Sequence, residues 1–269
     1  MIKRLYPGGK AKAFNITYDD GVTQDIRFVE LLNKYGIKGT FNLNSRLMEE
    51  EFEWRHDSGL VIKRLPPDVA VELYAGHELA SHSLTHPYMQ GMDDGALMWE
   101  MGEDKKRLQQ LFKTEIAGFA LPFDYYDAHI ADCARRCGFE YSRCSQERYS
   151  YAPPEDYYWW AAGTYHVNPG FLPFVEGFFH TEEELALCQI VGHSYDLDVL
   201  DMWGTMETVL RRVAGDGSIA PMTNIELVRY LKAMESADVW DGYIRNNSGL
   251  ELWFEVDGKT ISLPPYCEH

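Results

Sequence analysis

The chain has 269 residues, of which 45% are hydrophobic and 14% aromatic, and it carries a formal net charge of −17. This length and apolar content suffice for one large domain with a sizeable core. The negative charge argues against nucleic acid or an anionic membrane surface as a partner, because both attract basic proteins. No apolar run is long enough to span a bilayer.

The first residues and the cysteines indicate a compartment. Met1–Arg4 is basic, but Pro7 and two glycines follow instead of an apolar run, so no signal peptide is predicted. The five cysteines are odd in number and include no C-x-x-C pair. We therefore expect reduced thiols in a cytoplasmic protein.

Strand and helix patterns alternate along most of the chain. In chain order, strands are predicted at residues 13–18, 37–43, 78–81, 116–120, 139–144, 187–192 and 218–222. Helices are predicted at residues 24–35, 66–74, 94–112, 128–137, 181–184, 205–213 and 224–237. This alternation favours an α/β fold with a parallel sheet, and the length fits a (β/α) barrel of about 250 residues.

Two stretches predict loops, and the tail predicts added strands. Residues 44–60 are polar and mixed, which indicates a long loop over the mouth of the sheet. Residues 145–160 are loop-like and hold the aromatic cluster Tyr157–Trp160, which either stacks on sugar rings or packs in the core. We expect one domain at 1–240 and a short C-terminal β extension at 241–269 that packs on it.

Two adjacent carboxylates follow the first predicted strand. Asp19 and Asp20 end the run and precede Gly21, where a strand turns into a helix. In α/β folds this is the mouth of the sheet, where sites usually lie. Two like charges this close raise the pKa of one carboxyl unless a cation neutralises them. The pair therefore indicates a metal ligand, a base or both, against the simpler interpretation of a helix N-cap.

A second polar motif follows the strand at 78–81. His82 and His86 form an H-x-x-x-H pair, which on a helical turn would direct both imidazoles to one ion. Most isolated histidines are core or surface residues, but this pair and the two aspartates both follow strands of the same predicted sheet. Two neutral nitrogens, a carboxylate and an open position are typical of a catalytic zinc site.

The two motifs together resemble those of the polysaccharide deacetylases (carbohydrate esterase family 4, the NodB homology domain). Thr17-Tyr18-Asp19-Asp20-Gly21 is similar to the family's T-F-D-D-G, and His82-Ser83-Leu84-Thr85-His86 to its H-[ST]-x-x-H. The resemblance runs from about residue 10 to 235. It implies a deformed (β/α) barrel with a divalent ion, zinc first and cobalt or nickel as alternatives. It further implies Asp20, His82 and His86 as the metal ligands and Asp19 as the general base.

Two further motifs resemble the family less closely. Residues 119–124 align with R-P-P-Y-G, but Ala120 stands where the family has the arginine that pairs with the base. Arg46 and Arg143 are the candidates to replace it, and the backbone N–H of Phe123 would donate to the oxyanion. Residues 191–193 resemble the L-x-H motif, which implies His193 as the general acid. Three aspartates are candidates to orient that imidazole: Asp196, Asp198 and Asp201. A fourth motif has no secure match, and residues 159–160 are its candidate position.

The sequence leaves three functions open. The first is a metal-dependent hydrolase that removes acetyl groups from an N-acetylated sugar or oligosaccharide. The second is a metal-dependent hydrolase of a small cyclic amide or imide, which suits a cytoplasmic protein better than a polymer does. The third is a non-catalytic carbohydrate-binding protein. We expect a small-molecule or oligosaccharide partner, and the sequence does not predict an oligomeric state.

Overall fold

The computed structural model describes residues 2–240 and 242–269. Nine strands form one parallel sheet: β2 (Lys12–Asp19), β3 (Thr40–Leu43), β6 (Glu78–Ser81), β7 (Gly118–Ala120), β8 (Tyr141–Glu147), β9 (Trp160–Ala162), β10 (Thr164–Tyr165), β11 (Ala186–Gly192) and β12 (Ile219–Pro221). The other strands are β1 (Ile2–Leu5), β4 (Glu53–Arg55), β5 (Val61–Lys63), β13 (Asp238–Trp240), β14 (Tyr243–Arg245), β15 (Leu252–Val256) and β16 (Lys259–Leu263).

The parallel sheet curves until it nearly closes into a barrel. Eight strands follow the order β10-β11-β2-β3-β6-β7-β8-β9, and β12 pairs with β2. The end strands of this order are β9 and β10, and β10 is also joined to β8 by Glu147, whose Oε1 accepts from the Tyr165 N–H at 2.7 Å and the Thr164 hydroxyl at 3.0 Å. The predicted α/β barrel is therefore confirmed. The strands β2 and β11 are buried almost throughout, as expected where helices or closure cover both faces of a parallel sheet.

Nine helices accompany the strands among the described residues: α1 (Asp25–Lys34), α2 (Ser45–Glu49), α3 (Pro67–Leu73), α4 (Asp94–Phe112), α5 (Ala128–Arg136), α6 (Phe171–His180), α7 (Ser194–Val199), α8 (Trp203–Gly215) and α9 (Asn224–Glu235). Their caps follow the sequence signals. Asp93 accepts from the Ala96 N–H at the start of α4, and Thr223 and Glu226 form a capping box on α9. None of these helices is both long and apolar enough to cross a bilayer.

The prediction was wrong around residue 181. Thr181 is the C-cap of α6, and the expected helix at 181–184 is a turn in which Thr181 Oγ1 accepts from the Glu183 N–H. Helix α6 itself was not predicted. Its buried residues, Phe171, Phe174, Val175 and Phe178, have helical spacing. Its outer face is also largely apolar or glycine, so the sequence shows no polar stripe to reveal the period.

The expected long loop at 44–60 was also wrong, because this range contains α2 and the strand β4, which pairs antiparallel with β5 directly after it. We call residues 50–65 the hairpin segment. It is joined to the end of β2, where the Thr23 N–H donates to Lys63 O and the Leu65 N–H donates to Gly21 O. The segment therefore lies next to the two aspartates.

The tail contains the predicted antiparallel strands. β15 pairs with β16 on one side and with the N-terminal β1 on the other. Leu252 and Phe254 of β15 are fully buried in a cluster with Leu227 and Leu231 of α9. The division into a domain at 1–240 and an extension at 241–269 stays a prediction.

Candidate active site

Asp19 is the last residue of β2, and Asp20 begins the turn that follows it. Asp20 has φ 85° and Gly21 φ 63°, a backbone that aspartate tolerates better than most residues. Both carboxylates are buried. The turn brings each of them within 4.0 Å of His82 Nε2, so the two neighbouring side chains face one cavity.

The histidine pair lies on a loop, so the premise of a helical turn was wrong. His82 directly follows β6, and both Ser83 (φ 68°) and His86 (φ 56°) have left-handed backbones. The loop nevertheless brings the two imidazole centroids to 4.8 Å. Ala120 O lies 2.9 Å from His82 Nδ1, so that nitrogen donates, and the lone pair of Nε2, which lies 4.0 Å from Asp20 Oδ1, is left free to bind an ion.

Asp20, His82 and His86 form a set whose ligand atoms all lie within 4.8 Å of one another. Asp20 Oδ1 is buried and accepts no hydrogen bond from the described residues, as expected of an atom that faces a cation. Burial lowers the pKa of both histidines, to about 3 for His86, so both are neutral and able to ligate. This donor set fits a divalent ion of the zinc type.

A second set of potential ligands lies between α4 and α5 and consists of Asp94, His129 and the buried Cys133. Asp94 there is exposed and forms an ion pair with Arg136, 2.5 Å away. Asp94 and His129 are both exposed to water, whereas Asp20 and His82 are buried, so this set is a poorer metal site than the one at the mouth of the barrel.

Arg143 of β8 is fully buried and donates through Nη2 to Asp19 Oδ1. Asn42 donates to the same oxygen at 2.8 Å. Burial opposes ionisation of Asp19, but Arg143 and then His82 outweigh it and hold the pKa of that carboxyl below its usual value. Of the two candidate arginines, Arg143 is thus the one that pairs with Asp19. Arg46 is exposed on α2 and pairs with Glu50 instead.

A second buried arginine, Arg64, was not predicted. Its Nη1 donates to the backbone oxygen of Asp20 and lies 2.9 Å from Asp20 Oδ1. Burial raises the pKa of Asp20, but Arg64 followed by the nearby histidines lowers it overall, so the carboxylate is ionised. Arg64 comes from the hairpin segment, in a stretch without a motif, so no pattern in the sequence could have revealed this contact.

His193 follows β11 and is the N-cap of α7. Its Nδ1 lies 3.1 Å from Asp196 Oδ2, which selects Asp196 among the three candidate orienting aspartates. The Tyr165 hydroxyl lies 2.7 Å from the same nitrogen and 2.8 Å from Asp196 Oδ2. Burial disfavours the imidazolium, but the Asp196 hydrogen bond and the charges of Asp20 and Asp196 raise the pKa of His193 to about 9. Tyr165 itself was missed, because no motif marks it.

Phe123 lies on the loop after β7 with φ 56°. Its ring lies 3.8 Å from that of Tyr88 in a stacked pair and 4.5 Å from that of His86. The role of its N–H stays a prediction. Of the expected aromatic cluster, Trp160 is buried in β9 whereas Trp159 is exposed and stacks on Tyr126.

One cavity of about 590 Å³ at the carboxyl ends of the strands is bordered by Asp19, Asp20, Arg64, His82, His86, Phe123, Tyr165 and His193. Its floor holds the aspartates and histidines described above. Its walls are mostly apolar and aromatic: Leu47, Phe52, Trp54, Leu121, Phe123, Tyr165 and Tyr195. A cavity of this size suits a small molecule or a sugar unit. The arrangement can hold an ion, take up a proton at Asp19 and release one from His193.

Comparison with known families gives one match. The model of the family described as polysaccharide deacetylase matches residues 7–142, which include both aspartates, both histidines and Ala120. No curated protein matches the chain by sequence.

Solved structures are similar in fold. A chain assigned as a polysaccharide deacetylase from Mycobacterium smegmatis is 12% identical, with 87% of this chain and 94% of the other covered and a TM-score of 0.63. Puue allantoinase is also 12% identical, over 83% of this chain and 91% of the other, with a TM-score of 0.63. A family 4 carbohydrate esterase from Streptomyces lividans, in complex with acetate, is 14% identical over 78% of this chain and 92% of the other, with a TM-score of 0.54. At these low identities the similarity shows the fold alone.

Proposed function

Because the chain belongs to the polysaccharide deacetylase family, we propose that it is a metal-dependent hydrolase that removes an acetyl group from an N-acetylated sugar or oligosaccharide. The observation that carries this proposal is the meeting of Asp20, His82 and His86 at one cavity, with Asp19 and His193 beside them. A pure binding protein would not require a metal set, a base and an acid together.

In the proposed reaction the buried charges have separate tasks. Asp20, His82 and His86 would hold a divalent ion, most simply zinc, which when bound polarises a carbonyl and lowers the pKa of water. Asp19, kept ionised by Arg143, accepts the proton of the attacking water. The Phe123 N–H donates to the oxyanion of the tetrahedral intermediate.

His193 completes the reaction as general acid. Its raised pKa keeps the imidazole protonated near neutral pH, so it can donate a proton to the departing amine. Asp196 and Tyr165 fix the ring at Nδ1, which leaves Nε2 toward the cavity and 3.8 Å from Asp20 Oδ2. No covalent intermediate with the protein is needed.

A second candidate keeps the metal and the acid and base but changes the substrate to a small cyclic amide or imide. The observation that favours it is the similarity in fold to an allantoinase, with the same TM-score as the deacetylase from Mycobacterium smegmatis. A cytoplasmic location, which stays a prediction, would also suit a small substrate.

The test combines metal content with acetate release. We expect about one zinc-type ion per chain in the wild type and none in His82→Ala, with His180→Ala as control because that histidine is exposed and pairs with Glu176 away from the cavity. The loaded wild type should release acetate from N-acetylated sugars. Ring opening of hydantoin-type amides without acetate release would select the second candidate. Ion-free wild type after incubation with zinc, cobalt or nickel would reject both.

A further inference from the structure

The walls of the cavity determine how a sugar chain can enter it. Residues that line the cavity come from seven consecutive sectors of the barrel, from β10 through β11, β2, β3, β6 and β7 to β8. The ends of this arc, at β10 and β8, are joined where Glu147 accepts from Thr164 and Tyr165. The lining therefore forms a ring around the floor rather than the two parallel banks of a groove.

The hairpin segment supplies one sector of this ring. Phe52 and Trp54 stack with centroids 6.2 Å apart, and Trp54 meets Tyr195 edge to face at 5.7 Å. Tyr195 in turn stacks on His193 at 4.8 Å. These four rings join the hairpin segment to the proposed general acid, so they close the wall between the β3 and β11 sectors.

This wall is fixed to the floor of the site. The guanidinium of Arg64 lies 5.1 Å from the Trp54 ring and also contacts the carboxylate and backbone oxygen of Asp20. Backbone hydrogen bonds from Thr23 to Lys63 and from Leu65 to Gly21 hold the base of the hairpin segment. Because Arg64 is buried and paired with Asp20, its side chain is expected to keep its place when a ligand enters.

From this ring we infer that the cavity takes a free N-acetylated monosaccharide or the terminal unit of a short sugar chain, and excludes units inside a polymer. The inference rests on the proposed deacetylase function. An internal sugar unit has the chain leaving on two sides, so its acetamido group reaches the floor only through a cleft that is open at both ends. A terminal unit needs one opening, and about 590 Å³ is within the range of a small-molecule site.

The direct test uses N-acetylglucosamine and its β-1,4-linked oligomers of increasing length with the metal-loaded protein. Fragmentation mass spectrometry locates the free amine in each product. We expect a single free amine at one terminal unit and a kcat/KM that does not rise with chain length beyond the dimer. Free amines at internal units, or a rate that rises steadily with length, would overturn this inference and leave the proposed function intact. Loss of acetate release from every compound would overturn both.

Two variants test the wall itself. Replacing residues 53–62 by a short glycine-containing turn should open the β3 sector and produce free amines at internal units. If that variant does not fold, Trp54→Ala tests whether the hairpin segment contacts the substrate. It should raise KM for the dimer by roughly two- to tenfold through the loss of ring contacts, with kcat nearly unchanged. Trp99→Ala is the matched control, because that exposed tryptophan lies on α4 outside the cavity. An unchanged KM in Trp54→Ala would remove the hairpin segment from the substrate-binding wall.

Discussion

Ala120 and Arg143 are register partners on the neighbouring parallel strands β7 and β8. Paired positions on adjacent strands lie about 4.8 Å apart with side chains on the same face of the sheet. The polysaccharide deacetylases usually carry an arginine at the position of Ala120. In this chain the guanidinium is one strand further along and still reaches Asp19. The departure in the third motif is therefore a relocation of the cation.

Arg143→Met should lower kcat/KM by about 100-fold or more while the metal content stays near one ion per chain. Without the guanidinium, burial would raise the pKa of the Asp19 carboxyl, so less of it would be ionised and able to accept a proton. Acetate release and metal analysis on the same sample separate this effect from loss of the ion. Arg46→Ala, which removes an exposed arginine, should remain as active as the wild type.

The double variant Ala120→Arg with Arg143→Ala tests the relocation directly. It moves the guanidinium back by one strand and should recover at least part of the activity that Arg143→Ala loses. A correctly folded double variant with no more activity than Arg143→Ala would mean that Arg143 acts from its own position in a way that Ala120 cannot replace.

The residues of the candidate site that belong to short sequence motifs could be predicted. Asp19, Asp20, His82 and His86 stand in short patterns beside strands, and parallel strands bring their carboxyl ends together. Arg64 and Tyr165 act through tertiary contacts from segments without a motif, so the sequence alone gave no reason to select them. The choice of Asp196 over Asp198 and Asp201 also needed the structure, because it depends on where α7 begins.

The fold could be predicted where apolar and polar residues alternate with a clear period. Helix α1 and strand β11 fall within a residue or two of their predicted bounds. Helix α6 was missed because its exposed face is also apolar. The hairpin β4–β5 was missed because its strands have three residues each, too few for an alternating pattern.

Asp19→Asn should retain the ion and lose about 100- to 10,000-fold of the activity, because asparagine keeps the shape but accepts no proton. Metal analysis beside acetate release gives both quantities. Asp20→Ala is the companion variant, in which the ion itself should be lost. Full activity in Asp19→Asn would exclude Asp19 as the base.

The loss of activity in His193→Ala should depend on the leaving group of the substrate. An amide needs its departing nitrogen protonated, whereas 4-nitrophenolate leaves without a proton, so activity should fall about 100-fold on N-acetylated sugar and little on 4-nitrophenyl acetate. Tyr165→Phe removes only the hydroxyl at His193 Nδ1 and should show the same preference with a smaller loss. Equal losses on both substrates would argue against a proton-donating role for His193.

Asp104 connects the second motif to α4, and its protonation should affect stability. It accepts from the Ser45 N–H at 2.7 Å and from the hydroxyls of Ser45 and Ser81 at 2.6 and 2.5 Å. Ser81 directly precedes His82. Burial raises the pKa of the Asp104 carboxyl from 3.8 to about 7, even though these three donors oppose the rise. The protonated carboxyl is therefore the form favoured in the folded protein below neutral pH.

The sign of the pH dependence follows from that shift. Below about pH 4 the carboxyl is protonated in both states, and its stabilising contribution is fully present. As the pH rises toward 7 the unfolded chain ionises first, so this contribution to the free energy of unfolding falls, by at most about 1.4 kcal/mol per pH unit. Asp104→Asn should remove this component, so its stability should decline less than that of the wild type between pH 5 and 7.

Urea unfolding at pH 5, 6 and 7 measures how steeply the free energy of unfolding declines with pH in the wild type and in Asp104→Asn. The exposed Asp132→Asn is the matched control and should follow the wild type. Burial also raises the pKa of Asp25 to about 7. The free energy of unfolding of Asp104→Asn should therefore still decline with pH, but less steeply than that of the wild type. An Asp104→Asn slope equal to that of the wild type would mean that Asp104 is ionised in the folded protein at pH 5. The three donors around it would then outweigh burial, and the start of the second motif would be held by a charged group.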